Sequence, residues 1–228
     1  MLIKLFKTII KILLPKRSRK YIRENRIFWK YKDLFNPFYK GNFINNTLPN
    51  WENERRESYS KYIENNNITT VFEFGCAPGL TLLNILKRSN QTRVYGHDIN
   101  HSHMSYAIDL FANEFQGRHL FYKTLKVSTL ERDLSITKLD SFDLAIFDRV
   151  LMYLTNAEIE AHFKQYSHLY KRVLIDDFFG NIQGDYKHRD FNKILTPYGF
   201  KVHETSPSLY SKINMNNNNP IKTIYLKV

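Results

Sequence analysis

Five acidic side chains follow or end apolar segments that have the composition of buried strands. They are Glu73, Asp98, Asp148, Asp176 and Asp177. A carboxylate in such a place can accept hydrogen bonds from hydroxyl or ammonium groups, or take a proton from a reacting hydroxyl. It can also bind a hard divalent cation. The spacing of these residues therefore predicts a site built mainly from carboxylates.

A glycine-bearing turn follows the first of these segments, in the stretch TVFEFGCAPGLTLLNI of residues 70–85. Gly75, Pro78 and Gly79 break the strand pattern, and leucines recur at helical spacing from Leu80 onward. Glycines let the backbone approach a ligand closely, and the free N–H groups at the helix start face whatever lies there. Glu73 inside the turn would repel a pyrophosphate, so the turn favours a cationic nucleoside.

The run Glu73, Phe74, Gly75, Cys76, Ala77, Pro78, Gly79 resembles motif I of the class I S-adenosylmethionine-dependent methyltransferases, acidic-x-Gly-x-Gly-x-Gly. Ala77 replaces the middle glycine of that motif. The family's second mark is an acidic residue at the end of the next strand, which binds the ribose hydroxyls. Asp98 lies nineteen positions after Gly79, near the roughly 20 residues typical of such βαβ units.

Several residues of this region are expected to contact S-adenosylmethionine if the resemblance holds. They are Glu73, Phe74, Gly75, Cys76, Ala77, Gly79, Asp98, Ile99 and Asp148. Cys76 is the only cysteine of the chain, which excludes an intrachain disulfide. Its place inside the turn indicates a small packing residue rather than a catalytic thiol.

The resemblance covers about residues 69–228 and implies a seven-stranded Rossmann-like α/β sheet. In this fold the sheet is mostly parallel with an antiparallel last strand, and helices cover both faces. Apolar and alternating patterns predict the strands near 70–74, 93–98, 119–125, 141–148, 171–180, 200–204 and 223–227. Helical spacing predicts helices over 101–115 and 188–195, and another that begins with a Thr155/Glu158 capping box and ends near Tyr170.

Asp148 and Asp176 are the predicted catalytic residues. Methyl transfer to an alcohol needs alignment of donor and acceptor and removal of the acceptor's proton, for which either carboxylate could be the base. Asp148, Asp176 and Asp177 also resemble the Mg²⁺ set of catechol-type and macrolide-sugar O-methyltransferases. The DRVLMYL turn of residues 148–154 looks more like metal-independent sugar methyltransferases. Metal binding, a metal-free base and a purely structural role all stay open.

The net charge of +12 is concentrated at the amino terminus. Residues 1–32 carry eleven Lys and Arg and one acid, a net charge of +10, which leaves +2 for the other 196 residues. A nearly neutral remainder argues against a nucleic-acid groove. Residues 1–14 place lysines opposite an apolar face, which suits the anionic inner surface of a cytoplasmic membrane. Packing on the domain or on a partner protein is the alternative.

Residues 33–68 lie between this basic arm (1–32) and the methyltransferase-like domain (69–228). They are interpreted as a cap, with a helix near 51–63. Trp51, Arg55 and Tyr59 are possible pocket residues, although surface packing is the simpler interpretation of each one. His188 and Arg189 are lesser candidates for substrate contact, and a solvated helix start is the simpler interpretation there.

The sequence thus predicts a cytoplasmic S-adenosylmethionine-dependent methyltransferase. The expected reaction is O-methylation of a small molecule or sugar, for which an acceptor on a membrane-bound glycan precursor would give the basic arm a purpose. Methylation of RNA or protein is the alternative enzymatic interpretation. A non-catalytic, membrane-attached scaffold with a decayed cofactor site is the third, and it depends on Ala77.

Overall fold

Helices and strands alternate along the described part of the chain. The computed structural model describes residues 50–112, 115, 117–177, 189–209 and 221–228. The predictions for the basic arm and for residues 33–49 lie outside these ranges. The strands are β1 Thr70–Phe74, β2 Arg93–His97, β3 His119–Tyr122, β4 Leu144–Asp148, β5 Arg172–Asp177, β6 Phe200–Pro207 and β7 Ile221–Lys227. The α-helices are α1 Asn50–Asn65, α2 Leu80–Arg88, α3 His101–Ala112, α4 Val127–Ile136, α5 Asn156–Tyr166 and α6 Phe191–Leu195.

The strands form one seven-stranded sheet in the order β3-β2-β1-β4-β5-β7-β6. The five strands from β3 to β5 in this order pair in parallel, whereas β7 pairs antiparallel with both β5 and β6. The predicted fold class is therefore confirmed in its strand number, its mostly parallel sheet and its antiparallel last strand. Predicted boundaries differ by a few residues: β3 ends at Tyr122 rather than 125, and β6 continues to Pro207.

Helices cover both faces of the sheet, and each face has its own apolar core. On one face Val71, Ile146 and Leu174 pack with buried residues of α1, α2 and α3. On the other face Phe72 and Phe147 pack with buried residues of α4, α5 and α6. Side chains alternate between the faces along a strand, so residues 71 and 73 share one face and residues 72 and 74 share the other.

The first described helix packs directly on the sheet. Tyr59 and Ile63 of α1 are buried in the same core as Val71 of β1 and Leu174 of β5. The Ser60 hydroxyl also donates a hydrogen bond to Asn84 Oδ1 of α2 at 2.7 Å. Side chains that precede β1 in the chain therefore belong to the core on this face of the sheet.

The predicted capping box begins α5. The Thr155 hydroxyl accepts a hydrogen bond from the Glu158 backbone N–H, and the Glu158 side chain accepts one from the Thr155 N–H. The four N–H groups at a helix start lack partners within the helix, and this reciprocal pair satisfies two donors there. The turn between β4 and α5, residues 149–154, is thereby held at its far end. Among the described residues no helix is long and apolar enough to cross a membrane.

Candidate functional site

The glycine turn between β1 and α2 adopts left-handed backbone conformations. Gly75 has φ 76°, Ala77 has φ 49° and Gly79 has φ 82°. A Cβ on Gly75 would lie 2.4 Å from Val150 Cγ2, so a side chain there would collide with the turn that follows β4. Ala77 adopts the conformation that a glycine would adopt without strain, so the replacement keeps the backbone path of the motif.

The turn is attached to the tip of the neighbouring strand. The His97 carbonyl at the end of β2 accepts hydrogen bonds from the N–H groups of Gly75 (2.7 Å) and Cys76 (3.0 Å). Asp98 continues this link, because its Oδ2 accepts from the Ala77 N–H and its Oδ1 from the Asn100 N–H, both at 2.8 Å. The structure thus brings the glycine turn and Asp98 together, as the sequence spacing predicts.

Glu73 is buried beneath the turn with one oxygen unsatisfied. The residue is 3% exposed, and its Oε2 has no hydrogen-bond partner among the described residues. Burial raises the pKa of Glu73 to about 7. The charge of Arg55, a hydrogen bond with Thr81 and the charge of Arg56 each lower this pKa, but by less than burial raises it. Asp98 raises this pKa further, which places the two carboxylates within electrostatic reach. A buried carboxylate with an unsatisfied oxygen is costly, and a cationic ligand would remove that cost.

The other predicted cofactor residues divide into two groups. Ile99, next to Asp98, is 37% exposed and offers an apolar surface at the tip of β2. Phe74 instead directs its ring to the opposite face of the sheet, where the centroid lies 4.6 Å from that of His162. Cys76 is buried, and a Cβ on Gly96 would lie 2.8 Å from its Sγ. The side chains of Phe74 and Cys76 therefore pack within the protein. A contact between either residue and the cofactor stays a prediction.

Asp148 and Asp176 lie side by side at the tips of β4 and β5. They are register partners in the parallel pair and so share the sheet face that α1 covers. Arg55 Nη1 of α1 donates to Asp148 Oδ2 in a buried ion pair, and Arg149 Nε lies 3.4 Å from Asp148 Oδ1. Two guanidinium groups therefore neutralise the Asp148 carboxylate.

Asp176 has a different environment from Asp148. Its Oδ2 accepts a 2.7 Å hydrogen bond from the Tyr59 hydroxyl, and its Oδ1 is buried without a hydrogen-bond partner in the described part of the chain. Burial, and next the Asp176 charge, raise the pKa of Tyr59 well above its ordinary value, so the phenol stays protonated and donates. Asp176 thus keeps one oxygen that could accept a hydrogen bond from a ligand.

Asp177 does not join the other two aspartates. Consecutive residues of a strand point to opposite faces, and Asp177 Oδ2 accepts from the Met152 N–H at 3.0 Å on the far face. The three aspartates therefore do not converge as one ligand set. Within the described residues no group of three or more His, Cys, Asp or Glu could hold a metal ion.

Arg189 is a structural residue, and the interpretation of a solvated helix start is wrong for it. It is 5% exposed, and its Nη1 donates to the Leu151 carbonyl at 2.8 Å. Its other donors bond to the Leu154 carbonyl and, at 2.6 Å, to Asn156 Oδ1. Arg189 therefore holds the turn after β4 from the segment that precedes α6. His188 lies outside the described residues.

Arg55 and Tyr59 are the site residues that sequence reasoning underrated. Surface packing was the simpler interpretation, but Arg55 is 2% and Tyr59 0% exposed, and both contact the strand-tip aspartates. They are four positions apart and Ile63 is four further on, so they share one helix face with a core residue. This spacing of four residues could have indicated from the sequence that both side chains face the core. The side chain of Trp51 lies outside what the structure describes.

The geometry fits the group that the motif resemblance implies. A buried carboxylate with an unsatisfied oxygen, a left-handed glycine turn and an aspartate directly after the next strand suit a nucleoside that carries an ammonium group. The sequence matches no protein-family model and no curated protein. Solved structures, by contrast, match it across most of its length.

Three of these similar structures are methyltransferases by name. Magnesium protoporphyrin IX methyltransferase (ChlM) from Synechocystis PCC 6803 with bound SAH is 15% identical, with a TM-score of 0.63 over 89% of this chain and 97% of that chain. The methyltransferase domain of bacterial CtHen1-C is 17% identical, with a TM-score of 0.59 over 78% of this chain and 98% of that one. The chain has the class I methyltransferase fold.

The third similar structure is a methyltransferase from a polyketide synthase (PKS). The O-methyltransferase of a trans-AT PKS multienzyme of Brevibacillus brevis, in complex with S-adenosyl-L-homocysteine, is 13% identical, with a TM-score of 0.58 over 78% of this chain and 73% of that chain. At identities this low, the structural similarity shows the methyltransferase fold and no more. The predicted family resemblance is confirmed at that level.

Proposed function

We propose that this protein is an S-adenosylmethionine-dependent methyltransferase that acts on a hydroxyl group of a small molecule. The observation that carries the proposal is the buried Glu73 carboxylate, whose Oε2 lacks a partner among the described residues, beneath the glycine turn and close to Asp98. Neither packing nor stability explains such an oxygen, because an unsatisfied buried acceptor destabilises the fold.

The tips of β1 and β2 are the proposed donor-binding half of the site. Glu73 accepts hydrogen bonds from the ammonium end of the methyl donor, and Asp98 accepts them from the ribose hydroxyls. Asp98 already accepts two backbone N–H bonds, and each carboxylate oxygen has a second lone pair for a hydroxyl. The exposed Ile99 packs against the adenine ring. Backbone groups of Gly75, Ala77 and Gly79 line the methionine portion.

The tips of β4 and β5 are the proposed acceptor half. S-adenosylmethionine supplies an electrophilic methyl group on a sulfonium when it is bound. An acceptor oxygen forms a bond to that carbon as the carbon–sulfur bond breaks, and the hydroxyl proton passes to a base. Asp176 is the better base, because its Oδ1 has no hydrogen-bond partner in the described residues, whereas two guanidinium groups neutralise Asp148. Asp148 instead positions Arg55.

Small-molecule acceptors are favoured by the neighbours and by charge. Two of the similar structures are named as a porphyrin methyltransferase and a polyketide-associated O-methyltransferase. The chain beyond residue 32 carries a net charge of only +2, which is too little for a broad phosphate-binding surface. A sugar or a lipid-linked glycan precursor remains our proposal for the acceptor, motivated by the basic arm.

Isothermal titration calorimetry with S-adenosylmethionine tests the donor assignment. Wild-type protein should bind it, and Glu73→Gln should weaken binding by about 10- to 100-fold, the range for a lost charged hydrogen bond. Asp140→Asn is the matched control, since Asp140 is an exposed carboxylate before β4 at the other end of the sheet. Absence of binding by wild-type protein would contradict the proposal and favour the scaffold interpretation.

Vesicle sedimentation tests the proposed role of the basic arm. Wild-type protein should sediment with vesicles that contain anionic lipid, and a variant that lacks residues 2–20 should remain in the supernatant. Neutral phosphatidylcholine vesicles are the control. Equal sedimentation of the two proteins would remove the membrane proposal and leave the methyltransferase proposal intact.

A further inference from the structure

A row of three polar side chains crosses the tips of β5, β7 and β6. Asp176 of β5 is the register partner of Lys222 in β7, and Lys222 is in turn the partner of Ser206 in β6. Partners in neighbouring antiparallel strands point to the same face of a sheet, with their Cβ atoms about 4.5 to 5.5 Å apart. The three side chains therefore lie side by side on the face of the sheet that carries Asp148.

Each member of this row has a polar group that the described residues leave without a partner. Asp176 Oδ1 and Ser206 Oγ are buried and lack hydrogen bonds there, and the Tyr59 hydroxyl bonds only to Asp176 Oδ2, at 2.7 Å. The half-buried Lys222 ammonium group forms neither an ion pair nor a hydrogen bond with the part of the chain that the structure describes. Buried polar groups without partners are costly, so three in one row indicate a place for a polar ligand.

The charges in and beside the row indicate the sign of that ligand. Next to the row, the Asp148 carboxylate contacts two guanidinium groups, those of Arg55 and Arg149. Within the row, one carboxylate (Asp176) is accompanied by one ammonium group (Lys222). These described side chains therefore comprise three cations and two anions, and a ligand with one negative charge would balance the excess.

A carboxylate suits this place better than a phosphate does. It carries one negative charge, and its two oxygens can accept from the Lys222 ammonium group and the Ser206 hydroxyl. A phosphate monoester carries about −1.5 to −2 at pH 7, which would exceed the positive charge available. Asp176 would repel either anion, so its Oδ1 suits a hydroxyl of the ligand, the group that the proposed methyl transfer needs.

We infer that Lys222 and Ser206 bind a carboxylate of the methyl acceptor while Asp176 receives its hydroxyl, so that the acceptor is a hydroxy acid. The inference rests on the proposed function and names the chemical class of its acceptor. In the reaction the hydroxyl oxygen bonds to the methyl carbon, the carbon–sulfur bond breaks, and the hydroxyl proton passes to Asp176. Lys222 and Ser206 determine specificity and take no part in the proton transfer. A sugar acid belongs to this class of acceptor, whereas a neutral sugar does not.

The experiment compares hydroxy acids with the primary amides that replace their carboxylate. Salicylate and salicylamide, and glucuronate and glucuronamide, are titrated into protein saturated with S-adenosyl-L-homocysteine, and binding is followed by ligand-observed NMR. Wild-type protein is compared with Lys222→Gln and Lys201→Gln. Lys201 is an exposed lysine of β6, so its variant controls for loss of charge from this edge of the sheet. The readout is the dissociation constant of the amide divided by that of its acid, because a loss of stability would weaken both alike.

Wild-type protein and Lys201→Gln should bind at least one acid about 10-fold more tightly than its amide, the low end for a charged hydrogen bond, since Lys222 is half-buried. In Lys222→Gln the ratio should fall close to one. Ser206→Ala should weaken acid and amide alike by about 2- to 10-fold, because both present an oxygen to its hydroxyl. A wild-type ratio near one for both pairs, or a Lys222→Gln ratio equal to wild type, would overturn the inference. If Lys222→Gln does not fold, Lys222→Met replaces it under the same criterion.

Competition by simple anions tests the choice of carboxylate over phosphate. Acetate and inorganic phosphate are each added to wild-type protein with the bound acid. Acetate should displace the acid at the lower concentration. Stronger displacement by phosphate would overturn the assignment of a carboxylate.

Failure of the proposed function gives a different result. Calorimetric titration of S-adenosyl-L-homocysteine into each protein comes first, and Lys222→Gln should bind it as tightly as wild type, because β4 and β5 separate β7 from the glycine turn of β1. If wild-type protein does not bind this nucleoside, the proposed function is wrong and the inference with it. If it binds the nucleoside but does not prefer acids to amides, the donor site stands and only the acceptor class is removed.

Discussion

Polar contacts at the tips of β1 and β2 run mostly between side chains and backbone of nearby segments, whereas the contacts that α1 makes at the tips of β4 and β5 join side chains from distant segments. In the first region Asp98 accepts from the Ala77 N–H, twenty-one positions away. In the second, Arg55 reaches Asp148 across 93 positions, and Tyr59 reaches Asp176 across 117. One region depends on a local turn and the other on the docking of α1.

The two regions also differ in how they treat buried charge. Glu73 keeps an oxygen without a partner among the described residues, and its raised pKa reflects that burial. Asp148 is neutralised by two guanidinium groups. Glu73 receives no ion pair from the described residues through this oxygen, whereas α1 supplies the cation that pairs with Asp148. Predictions that alter one region and not the other sharpen this contrast.

The largest expected effect is on the docking of α1. Arg55→Ala should lower the free energy of unfolding by about 3 kcal/mol, because it leaves the Asp148 carboxylate buried without its main partner. Urea denaturation measures the change. The double variant Arg55→Ala/Asp148→Ala should cost less than the sum of the single variants. A loss below about 1 kcal/mol for Arg55→Ala would mean that α1 does not depend on this pair.

An effect of comparable size is expected at Glu73, and it depends on pH. Replacement of Glu73 should raise the free energy of unfolding at high pH relative to wild type, whereas replacement of Arg55 should lower it. Its folded-state pKa is about 7 against an ordinary value of 4.5, so the folded protein holds the proton more tightly than the unfolded chain does. This group therefore favours folding fully below pH 4.5 and loses that contribution as pH rises through 7, by about 3 kcal/mol in all. Glu73→Gln should remove the loss.

The measurement is the difference in unfolding free energy between Glu73→Gln and wild type at pH 5 and pH 8. The difference should move in favour of the variant by about 2 to 3 kcal/mol as pH rises. Using the difference matters because burial lowers the pKa of His162 to about 3, which gives wild type and variant alike a slope of opposite sign below pH 6.5. A difference that stays constant with pH would contradict the burial of Glu73.

A smaller effect is expected for the hydroxyl of Tyr59. Tyr59→Phe removes the hydrogen bond to Asp176 and should destabilise the fold by about 2 kcal/mol, as for bonds to charged groups. Tyr62→Phe on the same helix is the matched control, since the Tyr62 hydroxyl has no hydrogen-bond partner in the part of the chain that the structure describes. That control should be nearly neutral in urea denaturation. Equal losses in both variants would mean that the Asp176 contact contributes nothing specific.

The smallest effect is expected in the turn at Ala77. Ala77→Gly relieves a left-handed conformation at φ 49° and should stabilise the protein by up to about 1 kcal/mol. Thermal unfolding measures the gain, and calorimetry should find an unchanged affinity for S-adenosylmethionine. A loss of stability would mean that the Ala77 methyl group packs usefully and that the turn is not a strained copy of the glycine motif.

The sequence alone was sufficient for the parts of the molecule whose geometry is local. Alternating and apolar runs predicted the seven strands, and the nineteen-residue spacing from Gly79 placed Asp98 beside the turn. A strand, a turn and a helix constrain their own neighbours over a few residues, so their order in the sequence carries their position in space.

Only the tertiary structure decided which side chains meet at the tips of β4 and β5. Nothing in the spacing of Arg55 and Tyr59 from Asp148 and Asp176 selects those partners, because the pairing depends on how α1 lies across the sheet. The burial of Arg189 against the turn after β4 was likewise set by packing. Long-range contacts are fixed by the fit of whole elements, and that fit is not written in any one segment of the sequence.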